Sequence, residues 1–166
     1  MKTASWYDKS TWQQGVWLTE PDYVMWIDED SMYPCVLRRN IFGAWAGYVG
    51  VSYDHPLYQA HHTERTFDFI DVYGGVSFSG FSKEDDAEVS PPTRRWWIGF
   101  ECMLQNDICP AFSHDADINR KKRKGFDKVS EHPVYRDMEF ARTFTESLAA
   151  QFATIDHRLT YAEEIF

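Results

Sequence analysis

Along the first hundred residues apolar side chains recur in short runs with a period near two, and in the last third the spacing widens to about four. Runs at 15–19 (GVWLT), 22–28 (DYVMWID), 35–40 (CVLRRN) and 44–52 (AWAGYVGVS) each read as a strand. Pro21 separates the first two because it cannot donate to a sheet ladder. DEDSMYP is turn chemistry, and 41–43 (IFG) joins the next two strands as a hairpin. In 66–80 Phe67, Phe69 and Asp71 alternate against Asp68, Ile70 and Val72; the run breaks at Gly74 and Gly75 and resumes as VSFSGF. After an acidic loop at 83–93, RRWWIGF is the most apolar run and reads as the central strand. Gly47 and Gly50 weaken their strand unless something approaches the backbone closely or a bulge is needed.

From 104 to 133 no period is legible, so a long loop is expected there, of the kind that is often functional. The pattern then changes. Phe140, Phe144, Leu148 and Phe152 fall four apart with Ala141 and Ala149 beside them, which predicts one amphipathic helix over 134–155. Strands first and a helix last make the chain α+β, a mainly antiparallel twisted sheet with the C-terminal helix on one face. At 166 residues it reads as a single domain, 1–166, with 1–15 as a loose N-terminal segment.

The net charge of −9 argues against a general nucleic-acid coat, which needs surplus Lys and Arg. Setting aside the +5 of RKKRK at 120–124 leaves −14 on the remainder. The acids are scattered rather than laid along one face, which argues against a DNA mimic. Like charges at the density of RKKRK repel, so a mobile loop is expected there. Such a loop could close over an anionic ligand or dock on an acidic second subunit, making a homo-oligomer. Three cysteines, Cys35, Cys102 and Cys109, cannot all pair, and their spacing fits no standard zinc knuckle. With no apolar leader and no run long enough to span a membrane, a reducing cytoplasm is expected.

The chemistry-bearing candidates gather at strand ends. His55, extended before Pro56, is either a general base or a turn residue capping a carbonyl. Asp71 and Tyr73 share one side of their predicted strand, and Glu101 closes a neighbouring one, with Asp107 just beyond. Were those strands paired, the carboxylates would converge near Gly74 and Gly75, where missing side chains let a ligand reach the backbone. Arg94 and Arg95 set two guanidinium groups beside the flat indole of Trp96, a combination suited to a small nucleotide; alternation puts Trp97 in the core. His61 and His62 are adjacent, so on a strand they point apart and do not easily chelate together, and a solvated loop is expected there. His114, Asp115 and Asp117 lack the spacing of a calcium loop. No cofactor or metal is expected.

Taken in order, the segments CVLRRNIFGAWAGYVGV, HPLY, VYGGVSFSG, WWIGFECMLQND and YRDMEFARTFTESLAAQF resemble a family of small uncharacterised proteins of tailed phages and some bacteria. The likeness covers about 35–152. Its pattern runs through a Gly-Tyr-Val-Gly-Val strand, a His-Pro turn, a His-Gly-Gly strand, a Trp-Trp-Gly-Phe-Asp-Cys strand and a helix ending in Leu-Ala-Gln. This chain departs from it with Tyr73 before the glycine pair, Glu101 before the cysteine, and Leu104 or a neighbour where a further His stands. The resemblance implies organisation and a phage origin, and it supplies no mechanism. The expectation is an accessory protein in the host cytoplasm that binds a small anionic, nucleotide-like ligand in counter-defence. The competing expectations are a hydrolase of a phosphate or glycosidic bond using Glu101, Asp71 and His55, and an acidic inhibitor of a host protein.

Overall fold

The computed structural model describes residues 1–82, 93–126 and 132–165, with side chains at all of these but 114 and 156–165. Six strands make one sheet: β1 Lys2–Ala4, β2 Tyr23–Ile27, β3 Pro34–Arg39, β4 Trp45–Val51, β5 Phe78–Phe81 and β6 Trp96–Glu101. Their order is β1-β2-β3-β4-β6-β5, and every neighbouring pair is antiparallel. Two helices follow, α1 at His114–Arg123 and α2 at Met138–Ile165, and α2 lies across β3 and β4. The expected α+β class holds, and β6 is an interior strand. The acidic run at 83–92 lies outside the described residues.

Alternation along the strands divides the sheet into two faces. Leu37, Val49, Ile98 and Phe100 point toward α2 and are fully buried with Leu148, Ala149 and Phe152 of that helix. The other face carries Met25, Val36, Tyr48 and Phe78 in one transverse row set by the strand registers. Among the described residues no helix covers that row, and Phe78 is 38% exposed.

The strand glycines are explained by their cross-strand partners. Gly50 pairs with Trp97, whose ring lies 3.0 Å from where a Gly50 Cβ would be. Gly99 pairs with Tyr48 and Gly47 with Phe100, and in both cases the partner ring occupies the space of a side chain. Missing β-carbons let three aromatic rings lie close against the backbone of the opposite strand.

Four sequence expectations fail, each for a local reason. Residues 15–19 are no strand: Val16–Leu18 is a 3-10 turn that buries Trp17 against Tyr135, ring centroids 5.0 Å apart, and leaves Val16 exposed. Arg65–Phe69 is also 3-10, so Phe67 and Ile70, three apart, are buried together while Phe69 stands 89% exposed. The N-terminal segment is tied down, because β1 pairs with β2 and the backbone N–H groups of Trp6 and Tyr7 donate to Asp22 Oδ2 at 2.7 and 2.8 Å. Finally, the long loop expected at 104–133 contains α1. Ser113 caps it, accepting from Ala116 N, with Asp115 and Asp117 in its first turn and Arg120, Lys121, Lys122 and Arg123 in its last. That charge order matches the helix dipole.

Candidate functional site

Three side chains distant in sequence meet where the turn after residue 72, the loop after β6 and the chain leading into α2 come together. Asp107 is fully buried. Its Oδ1 accepts from the Tyr73 hydroxyl at 2.6 Å and from Arg136 Nε at 2.9 Å, and its Oδ2 accepts from Leu104 N at 2.8 Å. A short parallel bridge, with Ile108 N donating to Val134 O and Val134 N to Asn106 O, holds the two backbones side by side and so places Arg136. Gly74 and Gly75 turn the chain at φ of +71° and +78°, a left-handed conformation that favours glycine. Among the described residues nothing lies within 4 Å of a Cβ placed on Gly75.

Electrostatics fix the protonation of this cluster. Burial, and then donation to the Asp107 carboxylate, pushes the Tyr73 phenol well above its ordinary range. The bond to Asp107 raises Arg136 further, so it stays a cation. Its guanidinium stands over the rings of Tyr73 and Phe140, 5.3 and 5.0 Å from their centroids, with its side chain 24% exposed. Arg136 interacts with the Tyr73 hydroxyl as well as with Asp107. An arginine gripped at Nε, flanked by rings and partly exposed can act as an anion fork.

Asp107 also anchors α1. Its backbone carbonyl accepts from Lys121 Nζ, which pairs with Asp117 Oδ2 at 3.1 Å and is only 1% exposed. Arg120 pairs with the same Asp117 at 2.9 Å. The basic run is therefore helical, and two of its members serve internal ion pairs.

The other predicted site residues lie elsewhere. Asp71 is exposed, and its backbone N–H and carbonyl both bond the Gln151 side chain of α2. Glu101 follows Phe100, whose ring meets Phe144 of α2, so Glu101 points to the opposite face, where its charge helps raise Tyr48. The expected convergence of Asp71 and Glu101 does not occur, because 71–77 is not a strand. His55 is 4% exposed with both ring nitrogens committed: Nδ1 accepts from Leu57 N at 3.0 Å, which leaves Nε2 as donor to Phe152 O at 2.9 Å. It pins the 52–60 turns to the middle of α2. Arg94 stands over Phe81 at 4.2 Å, Arg95 donates to Gly50 O, and Trp96 Nε1 donates to Ala60 O. These three lie at the start of β6 and Asp107 beyond its end, roughly 17 Å apart along the strand at about 3.4 Å per residue. Of the ten candidates, only Tyr73, Gly74, Gly75 and Asp107 come together.

Sequence reading missed Arg136, hidden between two elements, and a second buried network. Arg39, fully buried, donates to Asp22 Oδ1 at 3.1 Å, to Gly43 O and to the Tyr135 hydroxyl, while Tyr135 donates to Glu20 Oε1 at 2.5 Å. Glu20 Oε2 accepts from Met138 N at the start of α2. Every group there has a partner, which makes this network structural. Among the described residues no three His, Cys, Asp or Glu groups lie close enough to hold a metal ion, and no helix is long and apolar enough to cross a membrane. Compared with known proteins, the chain matches no protein-family model, no curated protein and no solved structure.

Proposed function

We propose that this protein binds a small anionic, nucleotide-like ligand through Arg136, and does not turn it over. The carrying observation is the Arg136 side chain, held at Nε by the buried Asp107 carboxylate and 24% exposed. Two parallel N–H donors suit a phosphate or carboxylate better than a point charge does. Gly75, next in the chain to Tyr73 and Gly74, leaves room for a ligand to approach the backbone. A nucleotide supplies both an anionic group and a flat ring for this aromatic surround.

Acid–base work finds less support. Asp107 already accepts three hydrogen bonds, the Tyr73 phenol is held neutral, and both nitrogens of His55 are engaged. Asp71 lies outside the sheet, its backbone bonded to Gln151 of α2, while Glu101 ends β6 on the face away from that helix. These groups support binding over the hydrolase reading. The biological setting proposed is the host cytoplasm during phage infection, with the protein sequestering a defence signal. The resemblance to tailed-phage proteins is what motivates that setting.

The test measures binding of inorganic phosphate and of linear and cyclic nucleotides by calorimetry, for the wild type, Arg136→Lys and Arg136→Gln. Lysine keeps the charge and loses the fork, so both variants should weaken binding, Gln the more. Heating the complex should return the nucleotide intact. Turnover at sub-stoichiometric protein, or undiminished affinity in a folded Arg136→Gln variant, overturns the proposal.

A further inference from the structure

Among the described residues α2 packs on one face of the sheet and no helix packs on the other. The strand registers set the side chains of that other face in transverse rows. Tyr23, Arg38, Ala46 and Glu101 make one row, and Met25, Val36, Tyr48, Gly99 and Phe78 make the next. Apolar and aromatic groups dominate it. Phe78 is 38% exposed, Ile27 at the end of β2 is 48% exposed, and Trp6, which lies against Tyr23, is 46% exposed. Among the residues of β2 to β6, Arg38 and Glu101 are the charged ones on this face, and both are exposed.

Those two charges sit symmetrically about β4. Arg38 lies on β3 and Glu101 on β6, the two neighbours of β4, and both are in register with Ala46. At roughly 4.8 Å per strand they are about 10 Å apart across it. After burial, the Tyr48 phenol feels both charges, Glu101 raising it and Arg38 lowering it, which sets all three on one face.

A two-fold axis along β4, parallel to the sheet, exchanges β3 with β6 and β2 with β5. It brings Arg38 over Glu101 of a second copy, and Glu101 over Arg38 of that copy. The same axis brings Met25 over Phe78, Val36 over Gly99, and Tyr48 over its own counterpart. The patch therefore complements itself in charge, and at Val36 and Gly99 in size, as an isologous contact requires. Arg38 also stands over the Trp6 ring at 5.3 Å. A guanidinium has five N–H donors and serves several partners at once.

We propose that this face is the interface of a two-fold dimer of the chain, held by an apolar centre and by reciprocal Arg38–Glu101 pairs. Its two sheets pack face to face with strands aligned within about 30°. Five strands of about five residues give the patch roughly 24 Å by 17 Å, about 400 Å² in plan. A standard interface buries about 800 Å² per partner, so this dimer is a dissociable one that forms as concentration rises. It does not rest on the anion-binding reading.

The test follows the mass of the purified chain by sedimentation equilibrium from about 1 μM to about 1 mM, a span that covers weak and moderate dimers. The wild type should move from 19.5 kDa toward twice that mass. Arg38→Glu and Glu101→Arg each set like charges together and should weaken the dimer by about tenfold or more. The double variant restores the pairs in reverse and should return to within about threefold of the wild type. Phe78→Ser, at an exposed position, should also weaken association. Near-ultraviolet circular dichroism checks that each variant is folded. Should Arg38→Glu unfold, Glu101→Arg and Phe78→Ser carry the comparison. A chain that stays at 19.5 kDa throughout overturns the proposal. So does a dimer that these variants leave unchanged, the result expected of association through the basic residues of α1, and so does a folded double variant no stronger than the singles.

Discussion

The Tyr73 hydroxyl donates to Asp107 Oδ1 across 2.6 Å, and that oxygen also accepts from Arg136. The two bonds differ in what their loss leaves behind. Tyr73→Phe removes one donor but leaves the buried carboxylate two others, so it should cost about 2 kcal/mol. Asp107→Ala strips partners from Tyr73, Arg136 and Leu104 at once and should cost ~4 kcal/mol. Urea midpoints of both variants against the wild type check the order, and equal losses would contradict it.

Glycine substitutions should separate crowding from backbone strain. At Gly99 a β-carbon meets both the Gly47 carbonyl and the Tyr48 ring, neither of which can retreat without shifting a strand. Gly99→Ala should therefore cost about 3 kcal/mol, at the high end of overpacking. At Gly75 no described residue lies within 4 Å of the added β-carbon and the φ of +78° is what resists, so Gly75→Ala should cost ~1 kcal/mol. Thermal unfolding of the pair reads the difference directly.

His55 should behave as a structural tie. His55→Phe keeps the ring shape but strands the Leu57 N–H and the Phe152 carbonyl, for a loss of about 3 kcal/mol. Hydrogen exchange at the Leu57 amide should speed up while amides of β3 and β4 change less. An anion affinity that collapses in this variant, with the fold intact, would instead place His55 in the binding machinery.

Alkaline pH should weaken the fold. Burial, followed by the nearby Glu101 charge, lifts the Tyr48 phenol from 10.0 to about 12. Burial again, with hydrogen bonds to carboxylates, raises Tyr73 and Tyr135 still more. Burial likewise lifts the Cys35 and Cys109 thiols from 9.0 to about 12. These folded groups hold protons that the unfolded chain gives up earlier. Their stabilisation is complete below about pH 9 and is lost as pH rises through the folded values. Tyrosinate absorbance should show Tyr48, Tyr73 and Tyr135 silent at a pH where exposed phenols ionise. A disulfide reagent should find no reactive thiol until the chain unfolds, since Cys35, Cys102 and Cys109 are 0%, 2% and 1% exposed.

Much of the sheet was legible in the sequence because alternating burial leaves a local trace. β2, β4 and β5 fall inside the expected runs, β3 and β6 overrun theirs by one residue, and α2 begins at Met138, four residues after the expected start, and continues to Ile165. The failures are local too. Arg65–Phe69 copies strand alternation over a few residues, and only the burial of Phe67 with Ile70 tells the two apart. α1 has almost no apolar stripe to betray it. Its signal was charge order, two acids then four bases behind a serine cap, and a reading based on hydrophobic period passes over that.

The site divides in the same way. The sequence alone marked Tyr73, Gly74, Gly75 and Asp107 as unusual, because a glycine pair interrupts an apolar run and acids follow the most apolar strand. It could not join them to Arg136, which lies 29 residues beyond Asp107 and next to no motif. Nor could it separate Glu101 from Asp71, since the face a residue takes depends on whether its segment enters the sheet. The stacked rings of His61 and His62 follow from a turn, where the alternation rule ceases to apply. Chain-local patterns determined the strands and the last helix, because backbone geometry repeats over a few residues. Which polar groups meet was decided by tertiary structure alone, because a buried carboxylate must be matched by whatever donors the packed chain brings to it, from any distance in sequence.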